Sequence, residues 1–483
     1  MYELKMEENK VKTTIDIPDN IDLPESVNRY ETANGTLYVA KEISSIVLTD
    51  EISDYIMQIL MQDSNVDHAF FKASEYFEGK HSKEEVYKSF VRLIGQMNIE
   101  QFSPKTQIYS PSFENIEKGL HIYLTKTCNL RCIHCYNDAD NQRYDEISYE
   151  QLKKVVDFFA PHVINYSFSG GEPMASPCFF QLADYIKSTY PDKTLTLYSN
   201  GTLIQSQEVA NHISELFSEV QISIDGASAE IVNRVRGDNA FARIIRGLKY
   251  LVHTDKKIEE LAISICLFKF NIDDLHDNLC DLLETIDPEK RIKSIRFSNI
   301  EEEGRGTQNM QYEKNNENFK KIVYLQRKIN FSGRRIWERY QEQVLRNHFC
   351  FNKGFQRRVS KTCSFGQTLA LDSNGDIYPC AIKKSDINMG NFFDESFQKG
   401  LLETWKKYFY DHTVDKMEKC SDCDIKHYCC AGCRIKNRKI TGHYNVAPCD
   451  EAFKTKMLEK IAHDLIVNYS NTSRQILKLE STL

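Results

Sequence analysis

Three cysteines at the spacing C-x3-C-x2-C, Cys128, Cys132 and Cys135, restrict this chain more than any other feature. They follow directly on an apolar run, residues 120–124, that reads as a strand. A closed zinc site takes four ligands, and an iron–sulfur cubane normally takes one cysteine per iron. Three thiolates therefore leave one iron without a protein ligand. An outside molecule can bind there, so the spacing describes a reactive centre before a structural one. The bland alternatives are a redox-idle cysteine knot or a partial zinc site, and the residues that follow speak against both.

From 119 to 299 short apolar strands alternate with amphipathic helices, the pattern of a parallel α/β architecture. The expected strands are 119–124, 163–168, 193–198, 219–224, 261–267 and 293–298, with helices such as 149–159 and 241–252 between them. Barrel sites lie at the C-terminal ends of strands, and the unusual residues fall there. The second strand runs into Ser169-Gly170-Gly171-Glu172-Pro173. Its glycines admit a ligand close to the backbone, and its carboxylate can accept from an ammonium group. The third strand ends in Ser199-Asn200-Gly201-Thr202, either a plain loop turn or a cofactor contact. On the fourth, Ser223 and Asp225 are two apart and are expected on one strand face. Arg236, before Gly237, is either a surface residue or a carboxylate partner. Cys178, Cys266 and Cys280 lack metal spacing and read as buried free thiols.

Together the run Thr127–Tyr136 and the Gly170-Gly171-Glu172-Pro173 element resemble the signatures of radical S-adenosylmethionine enzymes. The resemblance implies an α/β fold, a partial (β/α)6 TIM-like barrel over 115–300. It implies a [4Fe–4S] cluster held by Cys128, Cys132 and Cys135, with S-adenosyl-L-methionine chelated at the open iron. One electron then splits the sulfonium to give a 5′-deoxyadenosyl radical, which takes hydrogen from substrate. The implied cofactor contacts are Tyr136 after the third cysteine and Ser169, Gly170, Gly171, Glu172 and Pro173 around the methionyl amine. They continue with Ser199 and Asn200, with Ser223 and Asp225 at the ribose and carboxylate, and with Arg236 at the methionyl carboxylate. No catalytic acid or base is assigned.

Glu301–Gly306 and the polar run to Glu317 mark a boundary, followed by an expected helical bridge over about 318–346. Next come Cys363, Gly375 and Cys380 as C-x11-G-x4-C, then Cys420, Cys423, Cys429 and Cys433 as C-x2-C-x5-C-x3-C, and Cys449. Read bare, the four-cysteine block also suits a zinc ribbon. The seven-cysteine order resembles the SPASM domain, the auxiliary-cluster extension of radical enzymes that modify peptides, here over 347–450. That resemblance implies two further [4Fe–4S] clusters, three in all. Cys420, Cys423, Cys429 and Cys449 would ligate the distal one; Cys363, Cys380 and Cys433 would ligate the nearer one. The family often places an eighth cysteine just upstream of the first, but position 357 is Arg and the nearest candidate is Cys350. Either Cys350 reaches in, or one iron stays open. Cys430 reads as a spare, and 451–483 as a closing helix and tail.

Near the N-terminus, Asn34-Gly35 precedes a hairpin of residues 36–40 and 43–48. Ile52, Ile56, Ile59 and Leu60 share one helical face, and Ser82 with Glu85 signals the start of another helix. Lys and Arg do not cluster on either. This module, 1–110, resembles the winged-helix-like peptide-recognition domains of enzymes that modify ribosomally made peptides. There an extended leader adds a strand to a sheet edge; a plain structural extension is the alternative.

Fifteen cysteines and no signal-peptide core favour metal over disulfides and a reducing cytoplasm. The net charge of -7 gives no basic footprint for nucleic acid, and no apolar run approaches the roughly 18–20 residues of a membrane span. The expected function is a peptide maturase that installs a crosslink, thioether or carbon–carbon, in a ribosomally synthesised precursor. Its expected partners are that precursor with its leader and a flavodoxin or ferredoxin-type electron donor. An anaerobic sulfatase-maturating enzyme is the second reading. Enzymes of that kind carry an acidic residue after the G-x4-C cysteine, where this chain has Ala381. The third is a non-catalytic iron–sulfur electron-transfer protein, which needs no nucleoside pocket.

Overall fold

A computed structural model describes residues 17–109, 112–144, 146–311, 316–338, 356–358, 363–382 and 385–477. The chain divides into two compact units, one drawn from Met1–Glu114, Gln343–Cys363 and Asp411–Leu483, the other from Asn115–Glu342 and Ser364–Tyr410.

In the first unit, β1 (Val27–Thr32), β2 (Gly35–Ala40) and β3 (Ser45–Thr49) form an antiparallel sheet in that order. The expected hairpin is β2–β3. Strand β1 is an addition that its polar alternation, Asn28, Arg29 and Glu31, concealed. Gly35 turns the chain at φ +128°, where a Cβ would sit 2.4 Å from the Thr49 carbonyl. Helices Glu51–Leu60, Val66–Tyr76 and Lys83–Ile99 follow. Asp50 caps the first, and Ser82 closes a capping box with Glu85 on the third, each cap worth about 1 kcal/mol. Both faces of the sheet are buried. Tyr38, Ala40 and Val47 pack with Ile56, Met57 and Phe90 of the helices. Leu37, Val39 and Ile46 pack with Ile425, Tyr428, Leu458 and Ile461, the last two from the helix Glu451–Leu477.

The second unit holds β4 (Gly119–Tyr123), β5 (Asn165–Ser169), β6 (Thr194–Ser199), β7 (Glu219–Ser223), β8 (Glu260–Leu267) and β9 (Ile292–Asn299). Each pairs in parallel with its predecessor. Leu120, Ile122, Phe168, Leu197, Val220, Ile222, Ile263 and Ile265 are fully buried, the pairs two apart sharing one face of their strand. These are the six expected β/α units.

The sheet nevertheless continues at both ends. After the helix Asn316–Phe331, β10 (Arg335–Glu338) pairs in parallel with β9. This corrects the expectation of one helix running from 318 to 346. Gly333, at φ +84°, ends the helix, and the buried Arg334 anchors the turn by donating to the Asp287 carbonyl at 2.7 Å. At the other end, β11 (Thr368–Leu371) pairs in parallel with β4, and β12 (Asp376–Tyr378) and β13 (Gly390–Asn391) follow antiparallel. The helix Glu395–Asp411 brings buried Trp405 edge-on to Phe159, its indole N–H donating to the Gly366 carbonyl at 2.7 Å. The block expected over 347–450 is thus shared between the units, with residues 364–410 continuing the barrel sheet.

Candidate functional site

Strand β4 delivers the chain to the cysteine loop at the C-terminal edge of the sheet. The loop is pinned through its backbone: Cys128 N–H donates to the Asp140 carbonyl at 2.5 Å and Ile133 N–H to the Val235 carbonyl at 3.0 Å. Ile133 also packs with Val235, Phe268 and Ile300. Asn129 donates to the Thr202 hydroxyl at 2.8 Å, tying the loop to the end of β6. Two of the thiols meet polar groups from elsewhere in the unit. Asn200 Nδ2 lies 3.9 Å from Cys128 Sγ, and Arg236 Nη1 lies 3.8 Å from Cys132 Sγ. Burial pushes the Cys128 thiol up to about 12, and the charges of Glu172, Cys132 and Cys135 add to the shift. A thiol so buried ligates as a thiolate only when a metal cation supplies the compensating charge.

The Gly170-Gly171 turn closes against the chain just before the cysteines. Gly171 N–H donates to the Thr125 carbonyl at 2.7 Å and Glu172 N–H to the Thr127 carbonyl at 3.0 Å. A Cβ on Gly170 would fall 2.3 Å from the Thr125 carbonyl oxygen, and one on Gly171 2.3 Å from that of Thr127. Only glycine fits either position. Pro173 opens a short 3-10 turn, and Ser169 ends β5 with its carbonyl accepting from Leu124 N–H. Glu172 is fully buried. Its carboxylate accepts from the Ser199 hydroxyl at 2.7 Å and from Asn200 N–H at 2.8 Å. Burial raises its pKa to about 7, against the pull of those hydrogen bonds. The Ser199-Asn200 loop therefore holds Glu172 as well as facing Cys128.

Ser223 and Asp225 do not share a strand face. Strand β7 ends at Ser223, and Asp225 takes a left-handed conformation at φ +64°, so the alternation of a strand no longer applies. Asp225 is buried and pairs with Arg236 at 2.6 Å, its Oδ1 accepting from Cys266 N–H at 2.7 Å. His134 Nε2 stands 3.3 Å from the same carboxylate. His134, Asp225 and Cys266 bring their ligand atoms within 4.8 Å of one another, but the Arg236 guanidinium already neutralises the carboxylate, which disfavours a cation there. Among the described residues, Arg236 Nε and His134 Nδ1 are buried donors or acceptors without a partner. Buried polar atoms are nearly always satisfied. Such orphans beside a cluster loop, a glycine cradle and a buried carboxylate fit a polar cofactor such as S-adenosyl-L-methionine.

Tyr136 is 39% exposed, and its hydroxyl lies 3.1 Å from that of Tyr123. The buried Tyr123 in turn donates to the carbonyl of Ala381, next to Cys380.

The second cysteine field lies in the first unit, except for Cys380. Cys420 and Cys449 share one apolar cluster with Val414, Met417 and Ala431. Burial pushes the Cys420 thiol up to about 11 and the Cys429 thiol up to about 12; Cys423 and Cys449 add charge at the first, Cys430, Cys420 and Cys449 at the second. Cys420, Cys423, Cys429 and Cys449 are the expected distal ligands. Cys430, Ala431 and Gly432 all have positive φ (+49°, +58° and +69°), a strained turn of the kind kept at functional sites. Buried Arg434 holds it, donating to the carbonyls of Cys430 and Gly432 at 2.9 Å each. Cys350 lies outside the described residues.

Sequence reading missed Asn129, His134, Tyr123, Arg434 and Arg305. Arg305 stood inside a run taken as a boundary, yet it donates to the Cys132 and Ala139 carbonyls. Each of these acts through at least one contact distant in sequence, which leaves no periodicity to find.

The Radical SAM superfamily matches residues 122–296, and the SPASM iron–sulfur cluster-binding domain matches 363–424. The antilisterial bacteriocin subtilosin biosynthesis protein AlbA of Bacillus subtilis is 23% identical over 70% of this chain and 71% of its own. An AdoMet-dependent heme synthase of Oleidesulfovibrio alaskensis is 27% identical over 66% of this chain and 83% of its own. The crystal structure of Streptococcus suis SuiB bound to precursor peptide SuiA superposes with a TM-score of 0.52 at 16% identity, covering 89% of this chain and 99% of that one. Among the described residues no helix is long and apolar enough to cross a membrane. The chain is an enzyme of the radical S-adenosylmethionine superfamily with a SPASM iron–sulfur domain, and it resembles peptide maturases.

Proposed function

We propose that this enzyme installs a crosslink in a ribosomally made precursor peptide, a thioether from a cysteine sulfur to carbon being favoured over a carbon–carbon bond. The observation that supports it best is the pairing, on one chain, of the barrel-end cysteine loop with a separate sheet whose edge strand β1 exposes Asn28, Arg29 and Glu31. An extended leader can add to such an edge through backbone hydrogen bonds. SuiB is seen bound to the precursor peptide SuiA, and AlbA is a bacteriocin subtilosin biosynthesis protein.

When bound, a cluster at Cys128, Cys132 and Cys135 with S-adenosyl-L-methionine supplies a 5′-deoxyadenosyl radical able to take hydrogen from carbon. The protein's share is to bind and orient. Gly170 and Gly171 let the nucleoside approach the backbone, Glu172 offers a carboxylate to the methionyl amine, and Arg236 offers a guanidinium to the methionyl carboxylate. Ser169, Pro173, Ser199, Asn200, Ser223, Asp225 and Tyr136 complete the proposed pocket. Joining sulfur to carbon removes two hydrogens from the peptide, one as an atom and one as a proton, and leaves one electron. Cys363, Cys380, Cys420, Cys423, Cys429, Cys433 and Cys449 would hold the two further [4Fe–4S] clusters that accept it, with Cys350 as a candidate eighth ligand. A flavodoxin or ferredoxin-type protein would deliver the initiating electron in the cytoplasm.

The 27% identity to a heme synthase favours a second reading, a porphyrin substrate. The test is anaerobic incubation with reductant, S-adenosylmethionine and the short peptide encoded beside this gene, read by mass spectrometry. Loss of two hydrogens per bond, with the site mapped by fragmentation, is expected. An unchanged peptide, with an iron porphyrin consumed instead, would overturn the proposal.

A further inference from the structure

The loops after β4 and β9 belong to strands that are far apart in the sheet order. Within the second unit they are nevertheless joined. Arg305, beyond β9, donates from Nε to the Cys132 carbonyl at 2.9 Å, from Nη1 to Asp138 at 2.6 Å and from Nη2 to the Ala139 carbonyl at 2.8 Å. Its own N–H donates to the Cys135 carbonyl at 3.0 Å. One side chain and one amide thus hold the cysteine loop on both sides of its last turn.

Gly304 makes this approach possible. It sits at φ +57°, and a Cβ there would lie 2.3 Å from the Cys135 carbonyl oxygen and 2.7 Å from that of Tyr136. Two backbones meet here with no room for a side chain. The Arg305 side chain is about one-fifth exposed, and its carboxylate partner Asp138 is largely in solvent, at 19% and 64%. A surface ion pair of that kind contributes little by itself. The two carbonyl bonds and the backbone bond are what fix the loop, because a planar guanidinium presents its donors in a set geometry that lysine cannot copy.

We infer that Arg305 is a positioning residue for the Cys128–Cys132–Cys135 site, a latch that ties the sixth barrel strand to the cysteine loop across the barrel mouth. It fixes the Cys132 and Cys135 backbones, and so the position of two of the three thiols that would hold a cluster. The inference rests on the radical S-adenosylmethionine domain and not on the identity of the substrate.

The test uses the full-length, anaerobically reconstituted protein and the variants Arg305→Ala and Arg305→Lys. The readout is the part of the reduced cluster electron paramagnetic resonance signal that changes on adding S-adenosylmethionine, followed during challenge with an iron chelator. Signals that do not respond to S-adenosylmethionine serve as the internal control. In Arg305→Ala the responsive signal should decay about tenfold faster, the usual scale for loss of a group that orients a metal ligand, with the unresponsive signals unchanged. Arg305→Lys should not restore the wild-type lifetime. If Arg305→Ala fails to fold by circular dichroism, Arg305→Lys decides alone. A wild-type lifetime in either folded variant, or equal loss of all signals, overturns the latch. A precursor peptide that is never modified would leave these results untouched, so failure of the substrate assignment is distinguishable from failure of this one.

Discussion

The Tyr428 hydroxyl donates to the backbone carbonyl of Ser44 at 3.0 Å, a buried bond spanning 384 residues of sequence. Around it the N-terminal sheet and the C-terminal cysteine block share one core, with Leu37, Val39 and Ile46 packed on Ile425, Leu458 and Ile461. A polar contact runs alongside. Asn28 on β1 donates to Asp424 at 3.2 Å, and Lys454 pairs with the same carboxylate at 3.2 Å. Asp424 directly follows Cys423. The module proposed to hold the leader is therefore built into the support of the second cysteine field.

Removing residues 1–110 should do more than weaken binding of a precursor. It uncovers the apolar side chains Ile425, Tyr428, Leu458, Ile461, Ala462 and Leu465. The truncated chain is expected to lose iron from the second field and to bind a hydrophobic dye, while any iron at the first site persists. Iron analysis and dye fluorescence check this, and a truncated chain with full iron would contradict it. Tyr428→Phe should cost only about 1 kcal/mol in unfolding free energy, the net worth of one hydrogen bond.

Gly171→Ala should be far more damaging than Gly79→Ala. A Cβ on Gly171 meets the carbonyl oxygens of Thr127 at 2.3 Å and Lys126 at 2.6 Å, both backbone atoms just before Cys128. The clash is relieved only by moving the cysteine loop. At Gly79, with φ +81° and open space around it, the cost is conformational, about 1–2 kcal/mol. Equilibrium dialysis should show S-adenosylmethionine binding lost in the first variant and kept in the second, with both folded by circular dichroism.

The barrel was legible because short strands with apolar residues at alternate positions recur between amphipathic helices. Leu195 and Leu197, Val220 and Ile222, and Ile263 and Ile265 recur at every second position with a polar residue between, and all six are fully buried. Strand β10 was not, because Arg335-Ile336-Trp337-Glu338 follows a helix and carries charge at both ends. The first cysteine loop stood out as a candidate through its spacing, the strand before it and the Gly170-Gly171 turn after it, but its geometry was not legible. The left-handed turn at Asp225 breaks a face that strand periodicity assumes, and Arg305 reaches Cys132 across 173 residues. Contacts of that range follow from the closed fold and from no local pattern.

Arg434 gives a test of charge in the second field. Its side chain is fully buried and donates only to main-chain carbonyls, including that of His412 at 2.9 Å and 3.1 Å. Among the described residues no carboxylate pairs with it. An unpaired buried cation is costly, and a thiolate-ligated cluster among Cys420, Cys423, Cys429 and Cys449 would supply the missing negative charge. Arg434→Gln should shift an auxiliary-cluster potential to more negative values, because the reduced cluster carries the larger negative charge; Arg434→Lys should stay near wild type. A redox titration followed by electron paramagnetic resonance decides. Equal potentials in all three proteins would make Arg434 a purely structural brace.

Glu172 should make cofactor affinity depend on pH. Burial raises its carboxyl to about 7, despite hydrogen bonds from Asn200 N–H and the Ser199 hydroxyl and the nearby charge of Arg236. Below that value the free enzyme holds Glu172 protonated and neutral. An ammonium group bound beside it favours the carboxylate, so binding then has to release the proton. The sign follows directly. Affinity for S-adenosylmethionine should be flat above about pH 7 and weaken as pH falls, approaching tenfold per unit. The same shift makes Glu172 favour the folded state at low pH and lose that contribution as pH rises through about 7, since a raised carboxyl is the form that resists charging. Calorimetric titration at several pH values checks the binding slope. Glu172→Gln, neutral throughout, should bind more weakly with no slope over the same range, and a slope that survives in that variant would assign the titrating group elsewhere.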